Sequence, residues 1–460
     1  MKWKKSLAIL LFLILLLCSC QAGTKGNNSV SEDENVDLGG YEFVIMSPFL
    51  SGLIKDSQSP NDPFLEAVDK RRQEIEKKYN CKITGERDYA GISFLQPLIL
   101  SGDKVADVID MMAPQWLPAA AMGYLKPWDE VEGFDVNASQ FDKEYTQLGT
   151  FKGHVYGINY VKPPVIRACM YYNKTLLKEL NLTDPNVLMD QNKWDFEEFR
   201  KLCIAATKDT NGDNSPDIWG LNYYYNYQSA SYFVEANGGS IAKLSGDKVV
   251  TNFTDQKTVE AVQFLYNLTQ VDKVVQMHPD DLPDNKLAAK SADYYVQDFV
   301  NGNSLFLIGD GWMATQYFSD MEDEYGLLPI PMGPSATEYV SSAANADVFV
   351  LTSTNKDLDK TAFIWNKFTA PLEGYGENWW VEDLSELYDD RSIENYKLIL
   401  KSSRVDLGNG SPTLLNAFYE MVKGSVFKNE FTVSAGIDAM SGLYQDVLDG
   451  IYNNAEKVVK

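Results

Sequence analysis

The segment Tyr41-Glu42-Phe43-Val44-Ile45-Met46 is rich in aromatic and β-branched side chains, and it predicts a buried β-strand. A helix is expected next, because Asp62-Pro63 is a helix-start signal and four later apolar residues share one face: Phe64, Val68, Ile75 and Tyr79. Lys82–Glu86 and Val105–Met111 are predicted as the following strands, with a helix between them. Alternation of strand and helix is typical of an α/β protein with mostly parallel sheets flanked by helices.

The residues before this strand predict export and anchoring. Three lysines precede an apolar run from Leu7 to Leu17, which at ~1.5 Å per residue is too short to span a bilayer core of ~30 Å. Leu17-Cys18-Ser19-Cys20 resembles the lipobox of bacterial lipoproteins, so we predict a signal peptide over 1–19 and a lipid on Cys20. An ordinary signal peptide without a lipid is the alternative. Residues 20–40 lack aromatic side chains until the strand begins and are expected to form a flexible tether.

The composition argues against nucleic acid as a partner. The chain has 460 residues and a formal net charge of −24, and it lacks the clustered lysines and arginines that bind a polyanion. Its cysteines beyond the N-terminal segment are Cys81, Cys169 and Cys203, which allow one disulfide at most and match no zinc-binding pattern. Stability must therefore come from apolar cores, and the length suggests two or three folded units.

Several later segments, in their order and spacing, resemble the family 1 extracellular solute-binding proteins, the sugar-binding lipoproteins of ATP-driven bacterial importers. The segments that carry this resemblance are Lys152–Asn159, Tyr171–Lys174, Trp194–Phe199, Asn301–Ser304, Gly309–Trp312 and Leu328–Pro334. Asn159 stands where the family usually has proline, which concerns only the local turn. No internal repeat accompanies these segments.

The resemblance implies two α/β lobes joined by crossing segments, with a ligand cleft between them that closes on binding. It places lobe 1 in residues 41–163 with 342–371 and lobe 2 in residues 164–341 with 372–460. It also implies a monomer on the extracellular face of the bacterial cell membrane that delivers its ligand to the transmembrane subunits of an ABC permease.

One loop has the oxygen density of a calcium site. Side-chain oxygens recur at the first, third, fifth, seventh and ninth positions of a loop, at Asp209, Asn211, Asp213, Ser215 and Asp217. Calcium prefers six to eight oxygen ligands, but the twelfth position is Gly220 where such loops have a bidentate glutamate. A structural calcium ion and an Asn/Asp-rich turn without metal are both left open. No cofactor is required.

Tryptophans near strand ends are the main indication of a ligand. In open α/β sheets the crevice lies beyond the carboxyl ends of the strands, and a flat aromatic ring suits the apolar face of a sugar. We therefore predict Trp312, Trp116 and Trp379 as stacking platforms. The predicted polar contacts are Asp310, Gln115 and Asn345, with Tyr223 as a further contact. The alternative for each tryptophan is a place in a core.

An enzyme would need named acids, bases or nucleophiles. The chain has only two histidines and no metalloprotease helix, nucleophile elbow or phosphate-binding glycine loop. Two carboxylates would suffice for a glycosidase, and 65 acidic residues leave that geometry open. The expected function is capture of a carbohydrate, most simply an oligosaccharide, without chemistry. Binding of a peptide or polyol and hydrolysis of a glycan are the alternatives.

Overall fold

The structure is a computed structural model that describes residues 36–55, 62–88, 91–160, 166–223, 228–277, 293–343, 347–375, 380–441 and 444–453. The predicted signal peptide, Cys20 and residues 20–35 of the predicted tether lie outside the described residues, as do Asn345 and Trp379.

The chain alternates strands and helices along most of its described length. The strands are β1 Tyr41–Met46, β2 Cys81–Glu86, β3 Val108–Met112, β4 Leu125–Lys126, β5 Thr150–Phe151, β6 His154–Val155, β7 Gly157–Ile158, β8 Cys169–Asn173, β9 Trp219–Tyr223, β10 Ala242–Ser245, β11 Lys248–Thr251, β12 Ser304–Gly309, β13 Tyr325–Leu328, β14 Ser341–Ser342, β15 Asp347–Thr352 and β16 Ser403–Arg404. The α-helices are Pro63–Tyr79, Ile92–Ser101, Ala113–Ala121, Lys143–Leu148, Lys174–Glu179, Pro185–Asp190, Phe196–Ala206, Gln228–Ala236, Gln256–Tyr266, Asp293–Val300, Met313–Tyr317, Leu358–Thr369, Trp380–Leu384, Asp390–Lys401, Pro412–Val422, Val433–Ser441 and Tyr444–Leu448. Shorter helical turns are Leu50–Gly52, Trp128–Glu130, Asn267–Val271, Leu407–Gly410, Lys423–Phe427 and Asp449–Asn453.

The first sheet has the strand order β2-β1-β3-β15-β4, and β7 also pairs with β15. β1 is parallel to β2 and to β3, as the strand-helix-strand pattern predicted. β15 comes from much later in the sequence and runs antiparallel to β3, β4 and β7. The first sheet is therefore completed by β15, a strand that follows all the strands of the second sheet in the sequence.

The second sheet has the order β13-β8-β12-β9. β12 is parallel to β9, whereas β8 runs antiparallel to both β12 and β13. The α/β fold with flanking helices is confirmed, and in the described residues three two-stranded sheets, β5-β6, β10-β11 and β14-β16, accompany the two larger ones. Each larger sheet is mixed, where the sequence predicted mostly parallel pairing, because β15 in the first and β8 in the second run antiparallel to their neighbours.

Trp365 anchors one core of the first sheet. It is fully buried on the helix Leu358–Thr369, and its ring centroid lies 5.0 Å from that of Phe349 and 6.3 Å from that of Trp128. The indole nitrogen of Trp128 donates a 2.8 Å hydrogen bond to the carbonyl oxygen of Phe349. Trp128 therefore supplies a large apolar surface and still satisfies its polar atom, whereas Nε1 of Trp365 has no hydrogen-bond partner in the described part of the chain. The helix thus fixes β15 in the first sheet.

The helix predicted to begin at Asp195 is present over Phe196–Ala206. The Asp195 carboxylate caps it by accepting a 2.9 Å hydrogen bond from the backbone N–H of Glu198. Its buried face is the predicted one: Phe196, Phe199, Leu202, Cys203 and Ala206.

Three further sequence predictions concern the cysteines, membrane-spanning helices and the lobe boundaries. Cys81, Cys169 and Cys203 are buried free thiols, so none of the three is in a disulfide. Within the ranges that the structure describes, we find no helix with both the length and the apolar character needed to cross a bilayer. The predicted lobe boundaries stay predictions.

Candidate ligand-binding site

Three charged side chains meet where the chain passes between the two sheets. The Nη2 atom of Arg167 donates a 2.9 Å hydrogen bond to Oδ2 of Asp347, and its Nη1 atom lies 3.9 Å from Oδ2 of Asp310. Arg167 and Asp310 belong to the second sheet and its margins, whereas Asp347 is the first residue of β15 in the first sheet. The cluster therefore joins the two sheets electrostatically.

Strand pairing sets this geometry. Arg167 lies two residues before β8, and Asp310 directly follows β12; the register pairs Gly309 with Cys169, so the two side chains start from neighbouring positions. Asp347 pairs with Met112, the last residue of β3. The carboxyl ends of β3 and β12 thus open toward the same place, which is where open α/β sheets bind ligands.

Asp310 is only 1% exposed, and only one of its two carboxylate oxygens accepts a hydrogen bond from a described residue. Its Oδ2 atom accepts a 3.0 Å hydrogen bond from the indole N–H of Trp312, and its carbonyl oxygen accepts one of 2.9 Å from the Tyr171 hydroxyl. Burial raises the pKa of Asp310 to about 6, even though nearby Arg167 acts in the opposite direction. Asp310 is therefore mostly ionised at pH 7 but titrates in mildly acidic solution.

The Arg167 guanidinium is held as a cation. Burial lowers its pKa, but the charges of Asp347 and Asp310 raise it by more, so the net pKa lies above the ordinary arginine value. Tyr145 and Tyr396 are buried near this cation, and burial raises the pKa of both phenols although Arg167 opposes the change. The surroundings of the charged cluster are thus aromatic and poorly hydrated.

Each side chain of the cluster has a buried polar atom without a hydrogen-bond partner among the described residues: Nε of Arg167, Oδ1 of Asp310 and Oδ1 of Asp347. Oε1 of Gln115 is unpartnered as well. An unsatisfied buried polar group costs about 1–3 kcal/mol. Gln115 lies on the first turn of the helix Ala113–Ala121, directly beyond the end of β3. A ligand with several hydroxyl groups would satisfy these atoms together.

The structure brings some of the predicted site residues together and separates others. Trp312 and Asp310 are in contact, and Trp312 is half-buried with its ring centroid 6.0 Å from that of Tyr317. Trp116 and Tyr223, in contrast, are 1% and 2% exposed.

Trp116 and Tyr223 lie in the apolar core and present no face to a ligand in this structure. The helix that carries Trp116 packs against the turn Leu407–Gly410. Tyr223 forms an edge contact with Phe427, with centroids 5.8 Å apart. Their predicted contacts with ligand are not supported by these positions. Asn345 and Trp379 have no described position.

Sequence reasoning missed Arg167 and Asp347 as site residues. Arg167 did carry a signal, because it is a lone charge at the edge of the apolar run that forms β8, where an unpaired cation would be costly. Asp347 carried none, since its partner lies 180 positions earlier in the chain.

The loop predicted to hold calcium is a hydrogen-bonded turn. Both carboxylate oxygens of Asp209 accept backbone N–H groups of the loop, at 2.6 and 2.9 Å. Asp217 accepts a 2.8 Å bond from the side-chain amide of Asn211, and Asp213 accepts one of 2.8 Å from the backbone N–H of Ser215. In the described part of the chain no group of three or more His, Cys, Asp or Glu side chains is placed to hold a metal. The calcium site stays a prediction.

Two helix-flanked sheets with a charged cluster between them have the two-lobed architecture of solute-binding proteins. The family model of bacterial extracellular solute-binding proteins matches residues 57–365, and the chain belongs to this family. It is therefore a binding protein of the extracellular class and not an enzyme.

Solved structures with the same fold share few residues with this chain. M. tuberculosis UspC is 14% identical with a TM-score of 0.63, and the match covers 88% of this chain and 99% of UspC. The GacH receptor of Streptomyces glaucescens is 13% identical with a TM-score of 0.61, covering 89% and 99% of the two chains. The maltose/maltodextrin-binding domain MalE of Bdellovibrio bacteriovorus is 17% identical with a TM-score of 0.56, covering 87% and 97%.

The raised pKa of Asp310 predicts a pH dependence of stability. Because its pKa is about 6 in the folded protein and 3.8 ordinarily, folding takes up a proton, and the resulting stabilisation is full below pH 3.8 and lost as the pH rises through 6. Asp310→Asn cannot titrate, so its free energy of unfolding relative to wild type should rise by about 2 kcal/mol from pH 4.5 to pH 7.

Urea unfolding of both proteins without ligand at several pH values measures this difference. Other buried carboxyls also titrate, since burial raises the pKa of Asp406 to about 6, but they contribute equally to both proteins and cancel. Parallel pH profiles for wild type and Asp310→Asn would contradict the assignment.

Proposed function

We propose that this protein captures a carbohydrate between its two lobes and delivers it to an ABC-type permease, by cleft closure and without breaking a bond. The observation that carries the proposal is the pair of Trp312 and Asp310: a half-buried indole beside a buried carboxylate with one unpartnered oxygen. A sugar ring has an apolar C–H face and a rim of hydroxyl donors, so it matches both halves of this pair.

The expected binding free energy is sufficient for a transport protein. Covering ~150 Å² of an aromatic ring contributes roughly 4 kcal/mol at ~25 cal/mol per Å², before ordering costs. Hydrogen bonds from hydroxyls to ionised groups add about 1.5–3 kcal/mol each. One stacked ring with two or three such bonds therefore supports micromolar binding, near −8 kcal/mol.

Closure follows from where the contacts originate. Asp310 and Trp312 stand at the end of the second sheet, and Asp347 stands at the start of a strand of the first. A ligand that bonds to both residues bridges the two sheets, so its binding free energy favours the form in which the lobes are close together. The GacH receptor was solved with acarbose and the Bdellovibrio MalE domain with maltotriose, which supports a saccharide for this chain.

Trp312→Ala tests the proposal. Removing the indole should weaken binding of a saccharide by about 2 kcal/mol, roughly thirtyfold, because most of the apolar contact with one ring is lost. Isothermal titration with mono- and oligosaccharides, after a thermal-shift screen, provides the affinities. The ligand-free protein should keep most of its stability, since Trp312 is only half-buried.

Trp116→Ala is the matched control. Its ring is buried in the core, so this change should cost the ligand-free protein about 3–5 kcal/mol. Peptides and polyols belong in the same screen, and the recovered sugar should be unshortened. Binding of a peptide or polyol in place of every sugar, or a shortened product, would favour the alternative functions over this one. Asn345 and Trp379 stay proposed contacts.

We further propose that the mature chain is anchored by a lipid on Cys20 at the outer face of the cell membrane, and that it acts as a monomer. The support is the sequence alone: the apolar run Leu7–Leu17 followed by Leu17-Cys18-Ser19-Cys20. Cys20→Ala should abolish acyl labelling and release the protein from the membrane fraction, with Cys18→Ala as the matched control. Acyl labelling that survives in Cys20→Ala would contradict the anchor.

Calcium binding by residues 209–217 is a separate proposal, which rests on the spacing of side-chain oxygens in the sequence. If the loop takes up calcium, added Ca²⁺ should raise the melting temperature of metal-free protein, and Asp213→Ala should remove that response. Identical melting curves of metal-free wild-type protein with and without Ca²⁺ would favour the metal-free turn.

A further inference from the structure

The unpartnered atoms of the site include both hydrogen-bond acceptors and hydrogen-bond donors. Among the described residues, the unpartnered acceptors of the cluster are Oδ1 of Asp310 and Oδ1 of Asp347. The donors that form no hydrogen bond with a described residue belong to Arg167: its Nε atom, and its Nη1 atom, which lies 3.9 Å from Oδ2 of Asp310. A ligand that satisfies these atoms must therefore donate as well as accept hydrogen bonds. Hydroxyl groups can do this, but carboxylate, sulfate and phosphate groups only accept.

The net charge of the cluster also favours a ligand without negative charge. Arg167 is the one cation that forms an ion pair with either Asp310 or Asp347 among the described residues. One positive charge thus faces two carboxylates, so the cluster carries excess negative charge when both are ionised. Like charges brought together in a poorly hydrated site repel each other strongly.

Arg167 itself is not available to clamp an anion. Arginine recognises carboxylate and phosphate by presenting two N–H groups side by side. Here Nη2 is hydrogen-bonded to Asp347, and Nη1 faces Asp310 at 3.9 Å, so both terminal nitrogens are turned toward carboxylates. A guanidinium in this position can bind a hydroxyl or ring oxygen, whereas a further anion would lie close to the two carboxylates.

We infer that the Arg167–Asp310–Asp347 cluster makes this site selective for uncharged glycans and rejects glycans that carry uronic acid, sulfate or phosphate groups. The inference rests on the proposed function and adds to it a charge class of ligand and two specificity-determining residues, Arg167 and Asp347, which sequence reasoning did not find.

Paired probes test this selectivity. Maltose, cellobiose and galactobiose are each titrated into the full mature chain at pH 7 beside the matching disaccharide with its non-reducing sugar oxidised to a uronic acid. The neutral member of a bound pair should bind at least a hundredfold more tightly than the acidic member. Since the two differ in one carboxylate, stacking on Trp312 contributes nearly equally to both.

Asp347→Asn links the selectivity to the cluster. Removing one carboxylate charge while keeping the side-chain shape should reduce the ratio of neutral to acidic affinity at least tenfold. Asp438→Asn is the matched control: it makes the same change in net charge at an exposed position on the helix Val433–Ser441, and it should leave the ratio unchanged.

The outcomes separate the two proposals. Equal affinities for neutral and acidic members, or tighter binding of the acidic member, would overturn the selectivity and leave carbohydrate capture standing. An unchanged ratio in Asp347→Asn would overturn the role of the cluster. Failure of every disaccharide and of larger oligosaccharides to bind would overturn the proposed function together with this inference.

Discussion

The ion pair between Arg167 and Asp347 joins the two larger sheets, and the candidate site is built around it. Each residue follows directly after the chain has passed from one sheet to the other, so the pair ties together the starts of β8 and β15. Both side chains are mostly buried, with 14% of each exposed. Burying an ion pair rarely adds net stability, because desolvation offsets the attraction. Its presence is better explained by a need for polar groups at the base of a cleft.

The burial of charged groups at the base of the cleft affects the stability of the protein, the closure of its lobes and its ligand specificity. Asp310 is buried beside Arg167 at a cost that its raised pKa expresses, and the same burial leaves an oxygen for a ligand. A hydroxyl group that bonds to Asp310 and Asp347 at once would link the two sheets more strongly than the protein does alone. Binding and closure are then one equilibrium, whose position depends on how much better the ligand fits the closed form. Selectivity for uncharged ligands follows from the excess negative charge of the same cluster.

The candidate site was only partly predictable. Asp310 and Trp312 were found because residues just beyond the end of a buried strand line the crevice of an α/β fold, and β12 is an unmistakable apolar strand. The same rule placed Trp116 in the cleft, but the first turn of a helix points its side chains in several directions. In the structure Trp116 lies in the core, whereas Gln115, one position earlier on the same helix, is only partly buried.

The sequence by itself determined the local elements: β1 and its helix, the capped helix after Asp195, and the family to which their order belongs. Hydrophobic periodicity and capping act over a few residues, so they can be read without knowledge of the rest of the chain. Only the tertiary structure decided that Arg167 meets Asp347, that β15 joins the first sheet antiparallel, and that Tyr223 faces Phe427. Those outcomes depend on which distant segments pack together, and that choice is made by the whole core at once.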